Sequence, residues 1–143
     1  ELCKIVKDES FATAVCGVLD VSRKSVLVAS AGGPSPLLFK ANGSTRLIES
    51  TGCPFGMIDN AIYDESEYQC VSGDRLLIFS DAAIELQDAE GNLLGTDGLV
   101  SIMKSLSYPE SGLNIVELQR ALLSYSNEIR LDDDLSLLDV SFS

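Results

Sequence analysis

With no histidine among its 143 residues, this chain must draw any acid–base or metal chemistry from carboxylates, hydroxyls and four cysteines. A carboxylate is best placed for such work where a rigid strand end holds it at the boundary with solvent. Two places meet that condition. Asp81 directly follows the apolar run Arg75–Ser80, and Asp132, Asp133 and Asp134 directly precede the closing run Leu135–Phe142. If those two runs are strands in facing sheets, the carboxylates converge on an all-oxygen site suited to Mg²⁺ or Mn²⁺, which prefer carboxylate and water ligands. Paired ions of that kind activate water for phosphoryl hydrolysis. The plainer reading is that Asp81 caps a turn and that the aspartate triplet is a solvated loop. Without histidine, Ser-His-Asp and Cys-His catalysis, His-ligated zinc and His-ligated haem are excluded. Cys3, Cys16, Cys53 and Cys70 are far apart and form no C-x-x-C pair, so neither a zinc knuckle nor a thioredoxin-type motif is present. Cys16 and Cys70 read as reduced, core-filling thiols.

The elements that must position the aspartates follow from hydrophobic periodicity and turn residues. Leu2, Ile5 and Val6 have the spacing of a helix tail. Phe11–Leu19 and Ser25–Ala31 form a first hairpin about Val21–Lys24. Leu37–Lys40 and Arg46–Ile48 form a second about Asn42-Gly43, a favoured two-residue turn; this reading is preferred over a glycosylation signal at Asn42-Gly43-Ser44. Tyr68–Val71 and Arg75–Ser80 are strands separated by a turn that Asp74 closes, and the second, apolar throughout, reads as a central strand buried on both faces. Thr96 caps a helix with Leu99, Val100, Ile102, Met103 and Leu106 on its core side. Asn114 and Glu117 make a capping box before Leu118, Leu122, Tyr125 and Ile129. Strands, then two helices, then a final strand argue an α+β protein with antiparallel sheet, a single domain over residues 1–143.

Twenty-two acidic against ten basic residues give a net charge of −12, and the cations, Lys4, Lys7 and Arg130 among them, are scattered and read as solvated. Nucleic acid and anionic membrane surfaces are excluded as partners on that ground. No apolar run reaches the ~20 residues of a membrane span, and the reduced-cysteine reading makes a cytoplasmic location the expectation.

Five segments, taken in order, resemble the SpoIIE/RsbU-type protein phosphatase 2C domains of bacteria: Ala29–Leu38, Gly52–Met57, Gly73–Asp81 through Glu85, Gly91–Gly95, and Asp132–Leu138. The resemblance implies an αββα sandwich of two antiparallel sheets flanked by helices, with a binuclear Mn²⁺ or Mg²⁺ centre at one end. It implies hydrolysis of phosphoserine or phosphothreonine on a regulatory protein, such as a STAS-type anti-anti-sigma factor. By the same resemblance Asp81 and Asp133 are metal ligands, with Asp134 as the alternative one residue on.

The chain departs from the pattern in three ways. Ala82 stands where the family has glycine after its metal aspartate, and Gly33 interrupts an Ala-Gly-His-Pro-like segment. The family's first two metal aspartates have no counterpart between Glu1 and Ser143, so the N-terminal part of the domain is expected to be missing. The expectations are therefore weak or absent metal binding and little activity in this chain alone. An exposed sheet edge would invite dimerisation or strand exchange. The alternative function is a catalytically degenerate module that docks a signalling partner.

Overall fold

The computed structural model describes residues 11–49 and 52–143. The helical tail read at Leu2–Val6 lies outside the described residues.

Among the described residues seven strands form two antiparallel sheets. The first has the order β1-β2-β5, from β1 (Ala14–Asp20), β2 (Ser25–Ala31) and β5 (Ser66–Gln69); the second has the order β4-β3-β6-β7, from β3 (Leu37–Phe39), β4 (Thr45–Leu47), β6 (Arg75–Phe79) and β7 (Leu137–Ser141). Helices α1 (Gly95–Ser105) and α2 (Ile115–Ser126) lie between β6 and β7 in the chain. The expected α+β sandwich is thus present. Among the described residues both helices pack against the second sheet.

The apolar residues sort into two layers by strand alternation. Val26 and Val28 of β2, with Leu38 and Leu76, fill the space between the sheets together with Ile48 and Cys70. Leu37, Phe39, Leu77 and Phe79 face the other way, onto Leu99 and Met103 of α1 and Leu118 and Leu122 of α2. Strand β6 therefore contributes to both layers, as expected from its unbroken apolar run, and pairs with β3 on one side and β7 on the other.

Several local expectations are corrected. Cys70 is buried, but Cys16 is exposed, because β1 is a terminal strand of its sheet and Cys16 lies on the outward face. The second hairpin turns through three residues rather than two. A β-turn closes from the Gly43 amide to the Lys40 carbonyl, Lys40 and Ser44 pair across it, and Gly43 takes the left-handed conformation at φ +84°. Thr96 does not cap α1: no side chain does so, and the helical bonding begins earlier, with the Gly98 amide on the Leu94 carbonyl. Asn114 does cap α2, accepting from the Glu117 amide at 3.3 Å. Ile129 is 96% exposed, since α2 ends at Ser126 with left-handed Asn127 as its cap.

Strands β1 and β7 lie on the same side of the sandwich, and their residues line two shared clefts. Leu19 and Leu138 point inward there, yet are 46% and 56% exposed. The sandwich is open along this seam.

Asp74 ties the turns together at the end of the sandwich opposite Asp81. It is fully buried, accepts from the amides of Val71 (2.9 Å) and Ala41 (2.8 Å), and forms an ion pair with Lys40. Burial alone would raise its pKa, but Lys40 and the two amides outweigh it and hold the carboxyl below its ordinary value. A carboxylate with a depressed folded-state pKa stabilises the fold above its unfolded pKa, and that contribution is lost as pH falls towards the folded one. In urea denaturation, wild-type stability is expected to fall as pH drops below the ordinary value of 3.8. Asp74→Asn should be less stable at pH 7 by about 1–3 kcal/mol and show a shallower acid limb. Identical acid limbs in the two proteins would rule Asp74 out as their source.

Candidate active site

Strand β6 leaves the sheet at Ser80, and Asp81 opens a 3₁₀ turn over Asp81–Ala83. Buried Ala83 plugs this turn into the helix-side core, while the Asp81 carbonyl accepts from the amides of Ile84 (2.8 Å) and Glu85 (2.9 Å). The Asp81 backbone is therefore fixed, and its carboxylate, which accepts from the Ala82 amide at 3.0 Å, stays at the surface.

Ser80 fixes the second group of aspartates against the first. Its amide donates to the Ser136 carbonyl (2.9 Å), its Oγ accepts from the Ser136 amide (3.0 Å), and the same Oγ donates to the Asp134 carbonyl (2.9 Å). The ladder between β6 and β7 is thus prolonged beyond both strands. The two aspartate-bearing ends are brought together by neighbouring, hydrogen-bonded strands of one sheet, not by strands in facing sheets.

Asp81, Asp132 and Asp133 line one cleft of about 630 Å³. Asp134 is not among its lining residues, and its backbone is what Ser80 grips. Asp133 Oδ1 accepts from the Asp134 amide at 2.7 Å.

The opposite wall is a small hairpin that periodicity did not reveal. Gln87 and Leu93 bridge, and Asp88 accepts from the amides of Glu90 (3.0 Å) and Asn92 (2.8 Å) and from the Asn92 side chain (2.9 Å). The Asn92 side chain, followed by its amide, lowers the Asp88 pKa. Tyr125 of α2 donates to the Asn92 carbonyl at 3.0 Å and so fastens the hairpin to the helix layer. The available signal was Asp88 followed by Gly91, a turn pattern in which glycine takes φ +84°.

Sequence reading also missed Ser80, whose type gave no hint of its clamp, and it placed Arg130 only as a solvated charge. Arg130 is exposed and lines the cleft. Among the described residues no group of three or more His, Cys, Asp or Glu side chains is arranged to hold a metal ion. No helix among the described residues is long and apolar enough to cross a membrane.

Comparison with solved structures gives the class. The SiaA protein phosphatase 2C domain of Pseudomonas aeruginosa superposes with a TM-score of 0.74 at 16% identity, covering 92% of this chain and 51% of that one. The RsbU and RsbW domains of a Mycobacterium tuberculosis protein give 0.73 at 25% identity, over 96% of this chain and 38% of that one. The phosphatase domain of the Bacillus subtilis cell fate determinant SpoIIE, from manganese-soaked crystals, gives 0.68 at 16% identity, over 90% and 56%. The fold is that of the protein phosphatase 2C class, and the chain spans little more than half of these structures at most. No curated protein matches it. Residues 1–143 match in full the family described as stage II sporulation protein E, and the chain belongs to that SpoIIE family.

Ser80→Ala removes the hydroxyl that holds the Asp134 carbonyl and the Ser136 amide. It is expected to cost about 1–2 kcal/mol of stability and to speed hydrogen exchange at Ser136, with exchange in β3 unchanged. Unaltered exchange at Ser136 would mean that the strand ladder alone holds the aspartates in place.

Proposed function

We propose that residues 1–143 belong to one domain of a metal-dependent protein phosphatase that acts on phosphoserine or phosphothreonine of a cytoplasmic regulatory protein. A partner-switching antagonist of an anti-sigma factor is the substrate class that the family suggests. The observation that carries this reading is the single cleft lined by Asp81 and Asp133, at strand ends joined through Ser80.

In this reading Asp81 and Asp133 are ligands of Mn²⁺ or Mg²⁺, with Asp134 the substitute for Asp133. Such ions would lower the pKa of bound water and offset charge on a phosphoryl group. The described residues do not complete that donor set, so no hydrolytic step is assigned to them. Further carboxylates would join from outside the described residues, and the open seam between β1 and β7 is where additional strands, or a second copy of the chain, would pair.

One observation favours a second reading, a phosphatase-like module that only docks its partner. Among the described residues the carboxylates form no three-ligand group.

The test uses the natural polypeptide that carries these residues. Mn²⁺ titration by calorimetry and phosphate release from a phosphoserine peptide are measured on the wild type and on Asp81→Asn. Metal binding with Mn²⁺-dependent turnover is expected, the turnover falling about 100-fold or more in Asp81→Asn. Absence of both metal binding and turnover in the wild type would overturn the phosphatase reading and leave the docking module.

A further inference from the structure

The cleft around Asp81 has a charge problem. Its lining carries the carboxylates of Asp81, Glu85, Asp88, Glu128, Asp132 and Asp133 against a single cation, Arg130. A phosphorylated substrate is itself an anion, with a charge of about −1.5 to −2 on its phosphoryl group at neutral pH. An anion entering a wall of carboxylates is repelled unless a cation on the path receives it.

Arg130 is free to do so. Among the described residues its guanidinium makes no ion pair, although carboxylates line the same cleft; the ion pairs formed are Lys40 with Asp74 and Arg75 with Asp139, both away from this cleft. It stands shortly after left-handed Asn127, which ends α2, and directly before Leu131, which packs into the helix-side core. The backbone around it is therefore held between a helix cap and a core contact while the side chain remains in solvent. A planar guanidinium presents paired N–H donors that match two phosphate oxygens, a geometry that an ammonium group does not reproduce.

We propose that Arg130 is the substrate-binding residue that receives the phosphoryl group at the mouth of the cleft. This rests on the phosphatase reading given above. It adds to that reading the one basic side chain of the cleft lining as a phosphate-binding group beside the metal ions.

The experiment measures kcat and KM for a phosphoserine peptide, and inhibition by inorganic phosphate, on the natural polypeptide and on Arg130→Gln and Arg130→Lys. Lys104→Gln, which lies outside the cleft, is the control for net charge. Arg130→Gln is expected to raise KM and the phosphate inhibition constant about tenfold or more, with kcat within about twofold. Arg130→Lys should fall between Arg130→Gln and wild type, and Lys104→Gln should match wild type. Unchanged KM in Arg130→Gln, with wild-type turnover intact, would overturn the role of Arg130 while leaving the phosphatase reading in place. If the wild type shows no turnover, that reading has failed separately, and binding of O-phosphoserine by calorimetry decides for Arg130. Binding that is lost in Arg130→Gln supports the role, whereas equal binding in both proteins, or none in the wild type, overturns it.

Discussion

Strand β6 carries apolar side chains on both faces, so its backbone polar groups have no access to water and must be satisfied by neighbouring strands. The rest of the structure follows from that demand. Pairing with β3 brings in the second hairpin, and pairing with β7 brings the chain's last strand back after two helices. The two faces then need separate covers. Leu76 is met by Val26 and Val28 of the opposite sheet, and Leu77 and Phe79 by the buried stripes of α1 and α2. The strand is held at both ends by polar contacts: Asp74 gathers two amides and Lys40 before it, and Ser80 grips the segment leading into β7 after it.

A second, partly buried polar cluster ties the helices to the sheet. Asp139 of β7 faces the helix layer, where it accepts from the Tyr108 hydroxyl (2.8 Å) and from Arg75 Nε (3.1 Å) and forms an ion pair with Arg75. Burial first, and then the adjacent carboxylate, push the Tyr108 phenol far above its ordinary pKa, so it remains a donor throughout the physiological range. Its ring also meets Phe39 edge to face at 4.7 Å, and the Arg75 guanidinium lies 5.5 Å from the ring centroid. One tyrosine between α1 and α2 is thus hydrogen-bonded to β7 and in ring contact with side chains of β3 and β6. A partly buried carboxylate is tolerated at this place because each of its oxygens has a donor.

How much of this was legible in the sequence depends on which force set each feature. Hydrophobic alternation sets strands, and β2, β3, β6 and β7 fall where their apolar runs place them. The side-chain cap at Asn114 was legible because the residue types that can make it are few. Thr96 misled for the same reason: its type fits a cap, but the helix starts before it. Cys16 and Ile129 misled because apolar character says nothing of whether a neighbour exists to cover it. Cys16 sits on the outer face of a terminal strand, and Ile129 follows the end of its helix. Position beside apolar runs singled out Asp81 and the Asp132–Asp134 group, of which Asp81, Asp132 and Asp133 line one cleft. Ser80 was not singled out, because a serine that bonds two backbone groups across more than 50 residues has no local signature.

The geometry at the site also shows what holds its acidic residues together, although Asp132, Asp133 and Asp134 lie in the irregular segment before β7. Two carboxylates about 4 Å apart repel by about 1 kcal/mol even in water, and by more where solvent is partly excluded. A mobile loop would relieve that repulsion by moving apart. Here Asp81 is fixed by its 3₁₀ turn and the plug at Ala83, and the Asp134 backbone is fixed by Ser80, so the acidic ends cannot separate without breaking bonds to the core. The fold therefore keeps the backbone of Asp81 beside the segment that carries Asp132 and Asp133, which line the same cleft. The cost of assembling the carboxylates has been met in folding, by the apolar burial of β6 and by the pairing that brings β7 to its side.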